Sequence, residues 1–317
     1  MAHEYQFTGD SARRPASPHP DSPRQAEPYV VVDGLREAVN LAIQLRRPLL
    51  LEGEAGCGKT RLARTVAFEL GLPLYSWFIR STSKAQEGLY SYDSLARLHD
   101  VQMRQVEEPT QEPLQGQRQR RRDPREPSQY VTLGPLGRAF TQRERPAVVL
   151  IDEIDKADLD FPNDLLSVLD DPWEFRIFEV DAVVRASPTC LPIVIITSNK
   201  EKGNLPLPFL RRCLYHYIDF PEDEARLKAI IDAHFGPRVP RLPTSLATAA
   251  VQRFLTLRQD SGLYKRPGTS ELLDWIDALG RLQGLTPQML APEAPLPYPH
   301  ALLKMRSDWQ RYTGSHD

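Results

Sequence analysis

Cysteine is scarce. There are three in 317 residues, Cys57, Cys190 and Cys213, with no paired spacing. That excludes a disulfide scaffold and fits reduced thiols in the cytoplasm. No run of about eighteen apolar residues occurs, so no membrane-spanning helix is expected. The N-terminus lacks a basic-then-apolar leader. Net charge is −2, which leaves no global pull toward nucleic acid or an anionic membrane. The seven histidines are scattered without metal-ligand spacing.

Proline, by contrast, is plentiful. It gathers in two polar segments that offer little to bury and read as structureless: residues 1–28 and 105–128. The second carries Arg118, Arg120, Arg121, Arg122 and Arg125, but acids surround them and no aromatic interleaves them for base stacking. It reads as a solvated loop rather than a nucleic-acid site. Hydrophobic residues make up 41% of the chain, enough for a sizeable core. The length suits one large domain with a small one.

The most informative segment is Gly53-Glu54-Ala55-Gly56-Cys57-Gly58-Lys59-Thr60, a G-x-x-x-x-G-K-[ST] phosphate-binding loop. Pro48 to Leu51 before it reads as a buried strand, and Thr60 to Leu70 after it has helical spacing. The loop therefore lies where free backbone N–H groups and a helix dipole meet an anion. Gly53, Gly56 and Gly58 permit tight turns and close approach. Lys59 is expected on the β- and γ-phosphates and Thr60 on Mg²⁺. Cys57 reads as a tolerated small residue.

About ninety residues on, Ala147 to Ile151 form an apolar run ending in Asp152-Glu153. Asp152 is placed to hold Mg²⁺ and Glu153 to polarise the attacking water. Taken alone, the two acids would pass as a helix cap; paired with the loop they complete a nucleotide site. A third strand, Leu191 to Thr197, ends in Ser198-Asn199, where an amide can report γ-phosphate loss. Phe209-Leu210-Arg211-Arg212-Cys213 sets two arginines before a last strand, Tyr215 to Phe220. Either can serve as a finger to a neighbouring subunit's γ-phosphate.

In this order the motifs G-E-A-G-C-G-K-T, L-I-D-E-I-D-K-A, I-T-S-N and F-L-R-R-C resemble the AAA+ ATPases, and within them the MoxR-like group. Residues 86–98 and the β-hairpin Trp173 to Val184 resemble that group's insertions, 133–140 resembles the segment leading into its Asp-Glu strand, and 161–166 follows as in the group. The resemblance implies an α/β fold, a five-stranded parallel sheet with helices, followed by a small helical lid. The strand positions near 48–52, 74–79, 147–152, 192–197 and 215–220 agree. The expected organisation is 1–28 structureless, 29–220 nucleotide-binding and 221–317 lid, with helices near 222–235, 245–257, 270–282 and 300–312. By resemblance, Asn199 is the phosphate sensor, Arg211 or Arg212 the finger, and the loop backbone with Arg61 lines the pocket. The adenine is expected near Tyr29 to Leu35 and the lid.

One position departs from the family. The lid arginine expected at the start of the third lid helix falls at Ser270 or Glu271. Lys265 or Arg266 can supply the charge instead, and Thr269 or Ser270 also reads as an N-cap. The resemblance implies an ATP-hydrolysing ring with ATP and Mg²⁺, a hexamer by family habit. It also implies a chaperone-like role on a protein client, in that family often one with a von Willebrand factor A-type domain. A nucleic-acid motor and a nucleotide-gated scaffold are the alternatives.

Overall fold

The computed structural model describes residues 5–106, 122–199, 205–236 and 242–313. Five strands form one parallel sheet: β1 (Leu49–Gly53), β2 (Leu74–Phe78), β5 (Val148–Asp152), β8 (Ile193–Ser198) and β9 (Leu214–Ile218), in the order β2-β5-β8-β1-β9. The α/β class and the five parallel strands match the sequence reading. The three inner strands are buried throughout. Their side chains alternate between two cores, as a pleat requires. Leu50, Val149, Ile151, Val194 and Ile196 face one core. Leu49, Leu51, Val148, Leu150, Ile193 and Ile195 face the other, beneath helices α1 (Asp33–Leu45) and α2 (Lys59–Glu69).

The first core is capped by short elements outside the main sheet. These are α3 (Ala85–Leu89), the small pair β3 (Tyr90–Tyr92) and β4 (Val131–Leu133), α5 (Pro135–Phe140) and α6 (Phe161–Leu166), while α4 (Ser94–Val106) adds no residue to that core. The hairpin β6 (Glu174–Ile177) and β7 (Ala182–Arg185) pairs antiparallel, and Phe178 at its turn is exposed. Helix α7 (Leu207–Arg212) leads into β9.

After β9 a third core forms among helices alone: α8 (Glu224–Phe235), α9 (Thr244–Gln259), α10 (Thr269–Gly280), α11 (Pro299–Leu302) and α12 (Arg306–Thr313). Trp275 on α10 is fully buried there. Residues 300–312 do not make a single helix. The chain breaks between α11 and α12, and Asp308 accepts from the backbone N–H groups of Tyr264 and Lys265, which ties that end to the α9–α10 connection.

One expectation of missing structure is corrected. Residues 5–28 form an ordered strap over α2. Phe7 is fully buried, and its backbone exchanges two hydrogen bonds with Asn40. Thr8 N, Thr8 Oγ1 and Gly9 N all donate to the Glu69 carboxylate, at 2.6, 2.8 and 2.8 Å. One deep apolar anchor and a set of charge-assisted bonds hold this segment, and neither leaves a periodic trace. At the edges of the 105–128 segment, α4 runs to Val106 and a 3₁₀ turn covers Pro127–Tyr130, while residues 107–121 lie outside the described residues. Arg122 stacks over Tyr130 at 5.5 Å. Arg118, Arg120 and Arg121 lie outside the described residues.

Candidate nucleotide-binding site

The C-terminal ends of β1, β5 and β8, adjacent in the sheet, converge on one cavity of about 300 Å³. That is where ligands bind in open parallel sheets. Gly58 is the N-cap of α2 at φ 92°, and the Tyr29 ring closes over it: a Cβ there would sit 2.8 Å from Tyr29 Cε2. Only glycine satisfies both conditions. Lys59 is buried, and its Nζ donates to the carbonyls of Gly53 (2.8 Å) and Glu54 (2.9 Å). The ammonium thus lies across the loop it must serve.

Beside it, Thr60 Oγ1 donates to Asp152 Oδ1 at 2.9 Å. Thr197, on β8, donates to the same oxygen at 2.6 Å and accepts from the N–H of Glu153 at 2.8 Å. Asp152 is buried and fixed by two hydroxyls. Glu153 follows in the left-handed region, φ 60°, which turns its side chain off the strand. Its carboxylate accepts from Lys156 Nζ at 2.6 Å and from Asn199 Nδ2 at 3.3 Å. A hydroxyl with a buried carboxylate is a hard-oxygen donor pair. It suits a Mg²⁺ that takes one or two protein ligands and completes its shell with phosphate and water.

The helical region closes the other side. Arg226, Ile230, Thr269, Ser270 and Leu273 line the cavity. Gly268, not Thr269 or Ser270, is the N-cap of α10, and Glu271 reaches back to its N–H at 3.1 Å. A Cβ at Gly268 would meet the Ala55 carbonyl at 2.8 Å, so a capping side chain has no room there. Lys265 and Arg266 are exposed and do not line the cavity. A second link ties lid to loop. Arg258 on α9, with a side chain only 7% exposed, donates to Glu54 Oε2 at 2.9 Å and to the Pro267 carbonyl at 2.5 Å, and lies 3.4 Å over the Phe220 ring.

Among the residues singled out from sequence, Ala55, Gly56, Cys57, Gly58, Lys59, Thr60, Arg61, Asp152, Glu153 and Asn199 line this cavity. Tyr29 and Leu35, expected near the base, line it as well. Arg211 and Arg212 do not. They end α7, with Arg211 exposed and Arg212 bonded to Asp170 at 2.8 Å. Burial raises the Cys57 thiol pKa despite Lys59 nearby, which disfavours a reactive thiolate. Sequence reasoning gave no role to Thr197, Arg226 or Arg258. Thr197 had a signal, a hydroxyl ending a buried strand beside the acidic one. Arg258 had none, since its partner lies 204 residues away.

Fold and site together define a P-loop nucleotide-binding protein. A model of the AAA domain, dynein-related subfamily, matches residues 48–213, and the chain belongs to that family. An AAA domain implies ATP binding. Among solved structures, NtrX from Brucella abortus in complex with ADP aligns at TM-score 0.50 and 14% identity, over 90% of this chain and 61% of that one. The Thermotoga maritima RuvB Holliday junction branch migration motor aligns at TM-score 0.40 and 17% identity, over 71% of this chain and 57% of that one. The chain therefore spans about three-fifths of the length of these structures. No curated protein matches. Among the described residues, no helix is long and apolar enough to cross a membrane.

Proposed function

We propose that this chain is a MoxR-like ATPase that works as a ring, a hexamer by resemblance, and remodels or matures a protein client. The observation that carries the chemistry is the hydroxyl bridge at Asp152: Thr60 from the loop and Thr197 from β8 meet on one carboxylate, with Glu153 held next to it. That is the placement an in-line hydrolysis needs, a metal-binding acid and a water-polarising acid on adjacent positions of one strand end.

Lys59 exchanges the Gly53 and Glu54 carbonyls for phosphate oxygens when nucleotide binds. Mg²⁺ held by Thr60 and Asp152 would neutralise charge on the β- and γ-phosphates. Glu153 takes the proton of the attacking water. Asn199 is bonded to Glu153, so a change at the γ-phosphate reaches β8 through the same carboxylate. The finger is assigned to Arg211. Arg212 is engaged with Asp170 and with the Pro208 carbonyl, whereas the exposed Arg211 side chain has no partner among the described residues. Such a residue finds its task in a neighbouring copy.

The test is steady-state ATPase with nucleotide binding measured in parallel. Glu153→Gln should bind ATP and lose turnover by about 10²–10⁴-fold. Arg211→Ala should do the same, with Arg212→Ala milder. Full turnover in the Arg211→Ala, Arg212→Ala double variant would remove the shared-site reading. The client is sought by capture on the Glu153→Gln form held in ATP, where a von Willebrand factor A-type protein is expected.

A further inference from the structure

Three cations line the nucleotide cavity: Lys59, Arg61 and Arg226. The first two belong to the loop and the first turn of α2. The third comes from α8. Its Nε is buried without a hydrogen-bond partner, and no described residue forms an ion pair with it. The start of α8 is secured by other means, since Asp223 accepts from the backbone N–H groups of Ala225 and Arg226. The helix packs through Leu227 and Ile231 on a different face.

Arg226, Ile230 and His234 recur at helical spacing, so one stripe of α8 looks onto the cavity. Arg226 and Ile230 line it, and His234 stands 3.5 Å from Arg61. Three acids line the cavity, Asp152, Glu153 and Asp219, and none of them forms an ion pair with Arg226. Asp152 is engaged by Thr60 and Thr197, Glu153 by Lys156 and Asn199. A buried donor with no acceptor is costly, and proteins keep such groups where a ligand supplies the missing partner.

We propose that Arg226 is a nucleotide-binding residue whose guanidinium meets the polyphosphate from the side of α8. This rests on the ATPase reading above. It places on α8 the lid cation that Ser270 and Glu271 do not supply on α10. A guanidinium fits phosphate oxygens through paired N–H donors, which an ammonium does not. Because α8 follows β9 directly, the same contact draws the helical region toward the loop when nucleotide is present.

The test uses the full chain with Arg226→Met and Arg226→Lys. Dissociation constants for Mg-ATP and Mg-ADP come from calorimetry. Tripolyphosphate is then used to displace a fluorescent ATP. Arg226→Met should weaken ATP and ADP about tenfold or more and weaken tripolyphosphate by a similar factor. Arg226→Lys should fall between. Without nucleotide, the melting temperature of Arg226→Met should hold or rise, because an unmet buried donor is gone.

Unchanged affinity, or a clear fall in the nucleotide-free melting temperature, overturns the proposal and leaves the ATPase reading standing. Weakened ATP with unweakened tripolyphosphate overturns the phosphate assignment. A wild-type chain that binds no nucleotide overturns both readings.

Discussion

Replacing Arg258 with alanine probes how the phosphate loop and the helical region are joined. The Glu54 contact is a charge-assisted hydrogen bond, worth about 1.5–3 kcal/mol when well shielded. Glu54 is 42% exposed, which puts the value at the low end of that range. Stacking of the guanidinium on Phe220 at 3.4 Å adds about 1 kcal/mol. The Pro267 carbonyl would lose its donor as well. A total near 3 kcal/mol follows, and at about 2 °C per kcal/mol for a chain of this size the melting temperature should drop by about 6 °C. Arg258→Lys keeps the charge without the fork and should recover less than half of that. Scanning calorimetry gives the stability change, and ATP affinity should weaken in step because Glu54 belongs to the loop. A shift under about 1 °C with unaltered affinity would refute the reasoning. So would strict additivity with Glu54→Gln, since residues in contact must couple.

Four further outcomes are expected. Lys59→Ala should abolish ATP binding in calorimetry while leaving the fold intact by circular dichroism, because its bonds are to loop carbonyls and not to the core. Glu69→Ala removes the acceptor of three strap donors and should cost about 3 kcal/mol, with amide exchange rising most over residues 5–23. Burial and the Arg61 charge lower the His234 pKa. The unfolded chain therefore binds that proton first, and stability should decline as pH falls below about 6.5, the ordinary imidazole value, a slope that His234→Gln should flatten in urea titrations. ATPase should not respond to added DNA; salt-dependent stimulation would revive the nucleic-acid reading.

The legible parts of the sequence were those with short-range order. Buried strands such as Val148–Asp152 announce themselves as apolar runs, and the loop before α2 as fixed glycine spacing. The two acids and the Asn at strand ends followed, because a parallel sheet brings its C-terminal ends together. Contacts between distant segments were not legible. Arg258 meets Glu54 across the whole nucleotide domain, and Arg226 reaches the cavity only because α8 folds back over it. The strap escaped for a related reason: proline and polar residues suggested a chain with nothing to bury, yet Phe7, the Glu69 carboxylate and contacts of Arg14, Asp21 and Ser22 with α2 and its flanks hold it. The arginine that the family sets on α10 was already missing from the sequence, where Ser270 and Glu271 stand, and Ser270 lines the cavity in its place.

Glu153 occupies left-handed backbone, φ 60° and ψ 49°, a conformation that costs a residue with a Cβ about 1 kcal/mol and that asparagine or glycine adopts far more readily. Drift under selection for foldability alone would erode the acid at this point and be rewarded for it. A descendant that had given up turnover should therefore tend toward Asn or Gly at 153 and melt higher than its ancestor. The occupant of that single position becomes an inexpensive marker for telling working engines from retired ones.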